Sequence, residues 1–166
     1  MNVFVIVDEV NKREAIMKQI KLIDESAIIN WADNYQLARM FIKDNSYNID
    51  YIFLDWNFPP SSYARSRFGM GRQILSNMLY DGLNNKVVII SSEMVPLNKD
   101  EYPFVVGTIS FADEYELRYQ LMNLFSDNIE EETENRGEAR VRSLKPKKEN
   151  HSGYKRRLSS TPWWMK

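Results

Sequence analysis

Apolar residues run unbroken from Val3 to Val7 and stop at Asp8 and Glu9, the pattern of a strand covered on both faces. From Asn11 to Leu22 the period changes to about 3.6, with Ala15, Ile16, Gln19, Ile20 and Ile23 aligned, which predicts an amphipathic helix. The alternation then repeats. Ala27–Trp31 reads as a second strand, and Asp33 is placed to cap a helix over Tyr35–Lys43 whose Leu37, Ala38, Phe41 and Ile42 share a face. Tyr51–Leu54 is a third buried strand ending at Asp55, and Pro59, Pro60 and two serines then force a loop.

Gly69 and Gly71 open a helix through Tyr80, which Asp81-Gly82 closes. Lys86–Ile90 is a Val/Ile-rich interior strand, and Val105–Ile109 reads as the fifth strand. Asp113 is positioned to cap a last helix carrying Leu117, Leu121, Leu124 and Phe125 on one side. Only twelve residues, Ser92–Pro103, join the last two strands, and Pro96 interrupts them, so any helix there is short or lost. Five strands alternating with helices predict an α/β fold: a doubly wound, five-stranded parallel sheet with a reduced fourth helix.

After Asp127 the apolar period stops. Residues 1–126 are therefore expected to form one domain, and 127–166 a flexible tail that is acidic and then basic, disordered on its own. The formal net charge of -1 conceals this division: ten of the 22 Lys and Arg lie in 136–166, against two of the 23 Asp and Glu. Zero cysteines exclude a disulfide framework and thiolate metal sites. No apolar run has the length of a membrane span, and the acidic start does not resemble a secretion signal. A cytoplasmic protein is the expectation.

In an open parallel sheet, ligands bind beyond the carboxyl ends of the strands. The first strand delivers Asp8 and Glu9 to that edge, the third Asp55, and the fourth Ser91 and Ser92. Three carboxylates in one crevice repel, and oxygen donors of this kind suit Mg²⁺. With that ion, Asp55 is a nucleophile for phosphoryl transfer and the Ser91 hydroxyl a donor to the transferred group. Plainer roles for these residues are helix capping and strand termination. His151 stands in the tail, so no serine has a histidine base nearby in sequence, and Gly69-Met70-Gly71 lacks the Lys-Ser/Thr of a phosphate loop.

The segments VFVIVDE and YIFLDWNFP, with a helix-opening glycine at 69 or 71 and the strand VVIISSE, resemble the receiver domains of two-component response regulators. The resemblance covers residues 2–125 and implies strand order 2-1-3-4-5. It makes Asp55 the phosphoacceptor and Ser91 the switch hydroxyl. It also implies Mg²⁺ held by Asp8, Glu9 and Asp55, with Asn57 contributing a backbone carbonyl. Two departures stand out. The family's lysine after the fifth strand falls on Ser110-Phe111, with no lysine adjacent in sequence. The loop Pro59–Phe68 is about half a dozen residues longer than the family's and carries Arg65 and Arg67.

Lacking that lysine, the chain reads as a pseudo-receiver: a regulatory binding module rather than an enzyme, acting on a protein or nucleic-acid partner, with transcription as one setting. The alternative is a working Mg²⁺-dependent receiver phosphorylated on Asp55. A third class, a metal-dependent phosphatase or nuclease, has no motif that demands it. In the tail, Arg140, Arg142, Lys145, Lys147, Lys148, Lys155, Arg156 and Arg157 suit phosphates. Tyr154, Trp163 and Trp164 suit stacking on bases or insertion into a protein pocket. A purely solubilising end is the plainer reading of the same composition.

Overall fold

The computed structural model describes residues 1–65, 69–98, 100–111 and 115–126. The expected Asp113 cap, Arg67 and the whole tail, including the cations from Arg140 to Arg157 and Trp163 and Trp164, lie outside them. The elements are β1 (Asn2–Ile6), α1 (Val10–Ile23), β2 (Ile28–Ala32), α2 (Tyr35–Asn45), β3 (Tyr51–Asp55), α3 (Met70–Tyr80), β4 (Lys86–Ser91) and β5 (Val105–Ser110). A further helix, α4, covers residues 115–126. All five strands are parallel in the order β2-β1-β3-β4-β5.

The sheet divides the core in two because successive residues of a strand face opposite ways. Val3, Val5, Phe53, Val88 and Ile90 face Ala15, Ile16 and Ile20 of α1 and Leu117 and Leu121 of α4. Phe4, Ile6, Ile52, Leu54 and Ile89 face Ala38 and Ile42 of α2 and Ile74, Leu75 and Met78 of α3. The unbroken apolar runs of β1, β3 and β4 follow from this two-sided cover. At the sheet's edge, β2 is mostly exposed, and Trp31 there stays 48% accessible.

The N-cap of α2 is Asn34, not the expected Asp33: the Asn34 side chain accepts from the Leu37 amide at 3.1 Å. Asp33 instead accepts from the Asn34 side-chain amide at 2.7 Å. Two further amides at this helix start, Tyr35 and Gln36, donate to the carbonyls of Pro59 and Pro60. The long loop after β3 therefore closes the open end of α2, where amides have no partner within the helix.

Between β4 and β5 no described residue is helical. Tyr102 and Phe104 are buried against the α3 side of the core with Val95 and Leu97 beside them, and the Tyr102 hydroxyl meets the Ser76 hydroxyl at 3.2 Å. Apolar side chains on an irregular strap thus cover the sheet where a helix would otherwise lie.

Gly71, in the first turn of α3, is buried because the helix presses onto the end of β3. A Cβ there would stand 2.9 Å from the Asp55 carbonyl oxygen and 3.0 Å from the Trp56 Cα. The Gly71 amide donates to the Trp56 carbonyl at 3.0 Å. Gly71→Ala is expected to destabilise the protein by about 1–3 kcal/mol in a denaturant titration, since main chain rather than a flexible side chain must give way.

Candidate functional site

The carboxyl ends of β1, β3 and β4 lie side by side. Leu54 pairs with Ile6 and Asp55 with Ile90, so Ser91 stands one residue beyond the partner of Asp55. Val7 and Asp8 follow directly on β1. The Asp55 side chain extends the row of Val3, Val5, Phe53 and Ile90, on the face that α1 covers.

There it meets a residue that sequence reasoning did not place at the site. The Lys12 ammonium donates to Asp55 Oδ2 at 2.8 Å, with the two side chains only 7% and 9% exposed. Lys12 is the third residue of α1 and projects from its first turn over the end of the sheet. No lysine directly follows β5 in sequence, as expected, but an ammonium reaches the site from α1. Its nitrogen also sits 5.6 Å from the centre of the Phe111 ring, close enough for a cation–π contact. Phe111 is tethered there by its amide, which donates to the Ser91 carbonyl at 3.1 Å. Phe111 falls where the resemblance places a lysine, so an aromatic occupies that position and holds a lysine from elsewhere.

Position makes this cation unusual. The first turn of a helix favours negative charge, and a cation there loses about 0.3–1 kcal/mol against the helix dipole. The first turn of α1 nonetheless has a buried lysine and no acid. Burial adds a desolvation cost that only a close counter-ion offsets. Asp55 is that counter-ion.

Around the pair, the Asn57 amide approaches Asp55 Oδ1 at 3.4 Å, and the Asn57 side chain accepts from the Gly69 amide at 3.1 Å, tying the loop after β3 to the start of α3. Burial pushes the Asp55 carboxyl up, against the opposing pull of the Lys12 charge, its hydrogen bond and the Asn57 amide; the Asp8 charge adds a small upward push. Ser91 is buried, and its hydroxyl accepts from the Glu93 amide at 3.2 Å. Asp8 is half-buried. Glu9 is exposed, standing just before α1 without a side-chain cap bond, and Ser92 and Arg65 are exposed. Trp56, buried beside Asp55, has no hydrogen-bond partner for its indole N–H among the described residues.

These residues do not fit a resident Mg²⁺ as they stand. One Asp55 oxygen is taken by the ammonium and the other faces the Asn57 amide. Among the described residues no three acidic or histidine side chains group as ligands would, so Asp8, Glu9 and Asp55 do not form the expected triad. The buried polar pair that sequence reasoning missed had one legible signal, a lysine in the first turn of a helix that points its apolar side at the sheet.

No family model matches the chain, and no curated protein matches it. Solved structures do match, among them receiver domains of response regulators. The signal receiver domain of a Luxo repressor protein from Vibrio parahaemolyticus is 18% identical, with a TM-score of 0.57 over 80% of this chain and 96% of that one. A phosphorylated cyanobacterial phytochrome response regulator, RcpA, is 19% identical, with a TM-score of 0.56 over 74% and 89%. CheY from Borrelia burgdorferi, in a complex with CheX, beryllofluoride and Mg²⁺, is 21% identical, with a TM-score of 0.55 over 75% and 89%. The fold is thus the CheY-like receiver fold expected from the motifs.

Removing one partner of a buried pair leaves the other uncompensated. Lys12→Met is expected to cost about 3 kcal/mol of stability at neutral pH, and Asp55→Asn in the same chain to recover most of it. Because the folded-state carboxyl titrates above its ordinary value, its contribution is fully present below the ordinary range and is lost as pH rises through the raised value. In Lys12→Met the carboxyl loses its main downward influence, so the gap from wild type should widen as pH rises from about 4. Denaturant unfolding across pH 3.5 to 7.5 measures this; a gap independent of pH would contradict the pairing.

Proposed function

We propose that this protein is a receiver-like regulatory binding module whose acceptor site is closed by its own lysine, and that it acts by engaging another macromolecule rather than by catalysing turnover. The observation that carries the reading is the buried Lys12–Asp55 pair at the carboxyl edge of a receiver-type sheet. One oxygen of the aspartate that the resemblance makes a phosphoacceptor is bonded to a buried ammonium, whose charge weakens the carboxylate as a nucleophile. Receiver domains among the structural neighbours are regulatory parts, which favours the same class.

A second reading, a Mg²⁺-dependent phosphoacceptor using Asp55, is favoured by the edge itself: Asp55 terminates the central strand, with the buried Ser91 hydroxyl on the next. CheY of Borrelia burgdorferi, solved with beryllofluoride and Mg²⁺, supplies the experiment. Wild-type protein titrated with beryllofluoride and Mg²⁺ is expected to keep its amide NMR spectrum around Asn57, Gly69 and Ser91 unchanged. Shifts there that vanish in Asp55→Asn would replace the first reading with the second.

The partner-binding part of the proposal belongs to residues 136–166. Arg140, Arg142, Lys145, Lys147, Lys148, Lys155, Arg156 and Arg157 form its cationic component, with Trp163 and Trp164 as apolar anchors. Among the described residues no helix is long and apolar enough to cross a membrane. Changing Lys147, Lys148, Lys155, Arg156 and Arg157 to Gln in the full chain should lower the salt slope of binding to duplex DNA by about 4–5 if they contact phosphates. An unchanged slope removes nucleic acid as the partner of these cations.

A further inference from the structure

We infer that Lys12 takes the place of a divalent cation at Asp55: the site carries a built-in counter-ion, and a metal ion gains access to the aspartate only when that ammonium is neutralised or withdrawn. The inference deepens the regulatory reading by specifying how the site is closed.

Three observations converge on it. The first is geometric. The ammonium sits 2.8 Å from Asp55 Oδ2, and both side chains are removed from water. A unit charge there neutralises the carboxylate and adds electrostatic cost to any second cation in the same crevice. The second is composition. Asp8 remains near enough to act electrostatically on Asp55, yet no described group of three acidic or histidine side chains is assembled. The one buried ammonium at Asp55 is supplied by the chain itself.

The third observation is the support around the lysine. A long side chain in the opening turn of a helix would ordinarily extend into solvent. Lys12 is held inward by Asp55 at its tip and by the Phe111 ring beside it, and Phe111 is itself fixed by the bond from its amide to Ser91. Arg13, the next residue, donates to the Val7 carbonyl at 3.2 Å and lies 3.9 Å from the Trp31 ring centre, fixing the start of α1 against the ends of β1 and β2. Residues from α1, β3 and the end of β5 thus meet at one nitrogen. A merely solvated lysine needs none of these partners.

The test is a titration with Mn²⁺ alone, followed by the EPR signal of the free ion, on the full chain. Wild type and Lys12→Arg, which keeps the positive charge, are expected to bind weakly, and Lys12→Gln at least ten-fold more tightly. Adding Asp55→Asn to Lys12→Gln should abolish the gain. Wild type binding as tightly as Lys12→Gln, a variant no better than wild type, or a gain that survives Asp55→Asn would each overturn the inference. Should Lys12→Gln fail to fold by circular dichroism, wild type decides the matter. Paramagnetic Mn²⁺ at millimolar concentration should leave the Asn57 and Gly71 amide signals unbroadened, and selective broadening there overturns the inference. Wild-type silence towards beryllofluoride combined with no gain in Lys12→Gln rejects the built-in counter-ion and leaves the regulatory reading standing. A beryllofluoride response rejects that reading, and the Mn²⁺ titration still judges the counter-ion.

Discussion

A carboxylate at the end of a central strand, in a sheet covered on both sides, has to be compensated, because an unpaired charge in that position costs several kcal/mol. In this protein the compensation is internal. Lys12 descends from α1 onto Asp55, and the Phe111 ring lies beside its ammonium. The sheet order decides that this is feasible at all, because β1, β3 and β4 must be neighbours for α1 to lie over the end of β3.

That arrangement reverses the ordinary relation between a helix and its charges. The opening turn of α1 has a cation where the peptide dipoles favour an anion. Local preference is given up where the global structure needs the charge, the kind of departure expected where function rather than folding selects the residue. The rest of the chain obeys local rules closely: Asn34 caps α2, and Gly69 adopts a positive φ of 79° before α3.

Much of the fold was legible because two-sided burial imprints itself on composition. The unbroken apolar runs of Val3–Val7 and Lys86–Ile90, and the 3.6 period around Ile16 and Ile20, leave little choice of element, and where Pro96 announced a short or lost helix no described residue is helical. The cap of α2 was displaced by one residue because Asp33 and Asn34 are both good caps, and only the backbone decides between them. The site was legible in its strand-borne residues, Asp55 and Ser91, whose position follows from where a strand stops. Lys12 was not, because its contact with Asp55 spans 43 residues and depends on the pitch and rotation of α1 over the sheet. A search for the missing ammonium along β5 looks in the wrong element, since a charge can be supplied to one point in space from several points in sequence.

Gly71 links this site to the remainder of the molecule. Where two elements touch through side chains, a small shift of one is absorbed by a change of rotamer in the other. At Gly71 the closest neighbours are the main chain of Asp55 and Trp56, with the buried Trp56 ring beside them, which leaves little room for a rotamer change to absorb a shift. A close-packed interface of that kind passes on displacement rather than damping it. Helix α3 is in this sense geared to residue 55: if the strand end moves, the rod moves bodily with it, carrying its exposed Leu79 and Tyr80 to a new place on the outer surface.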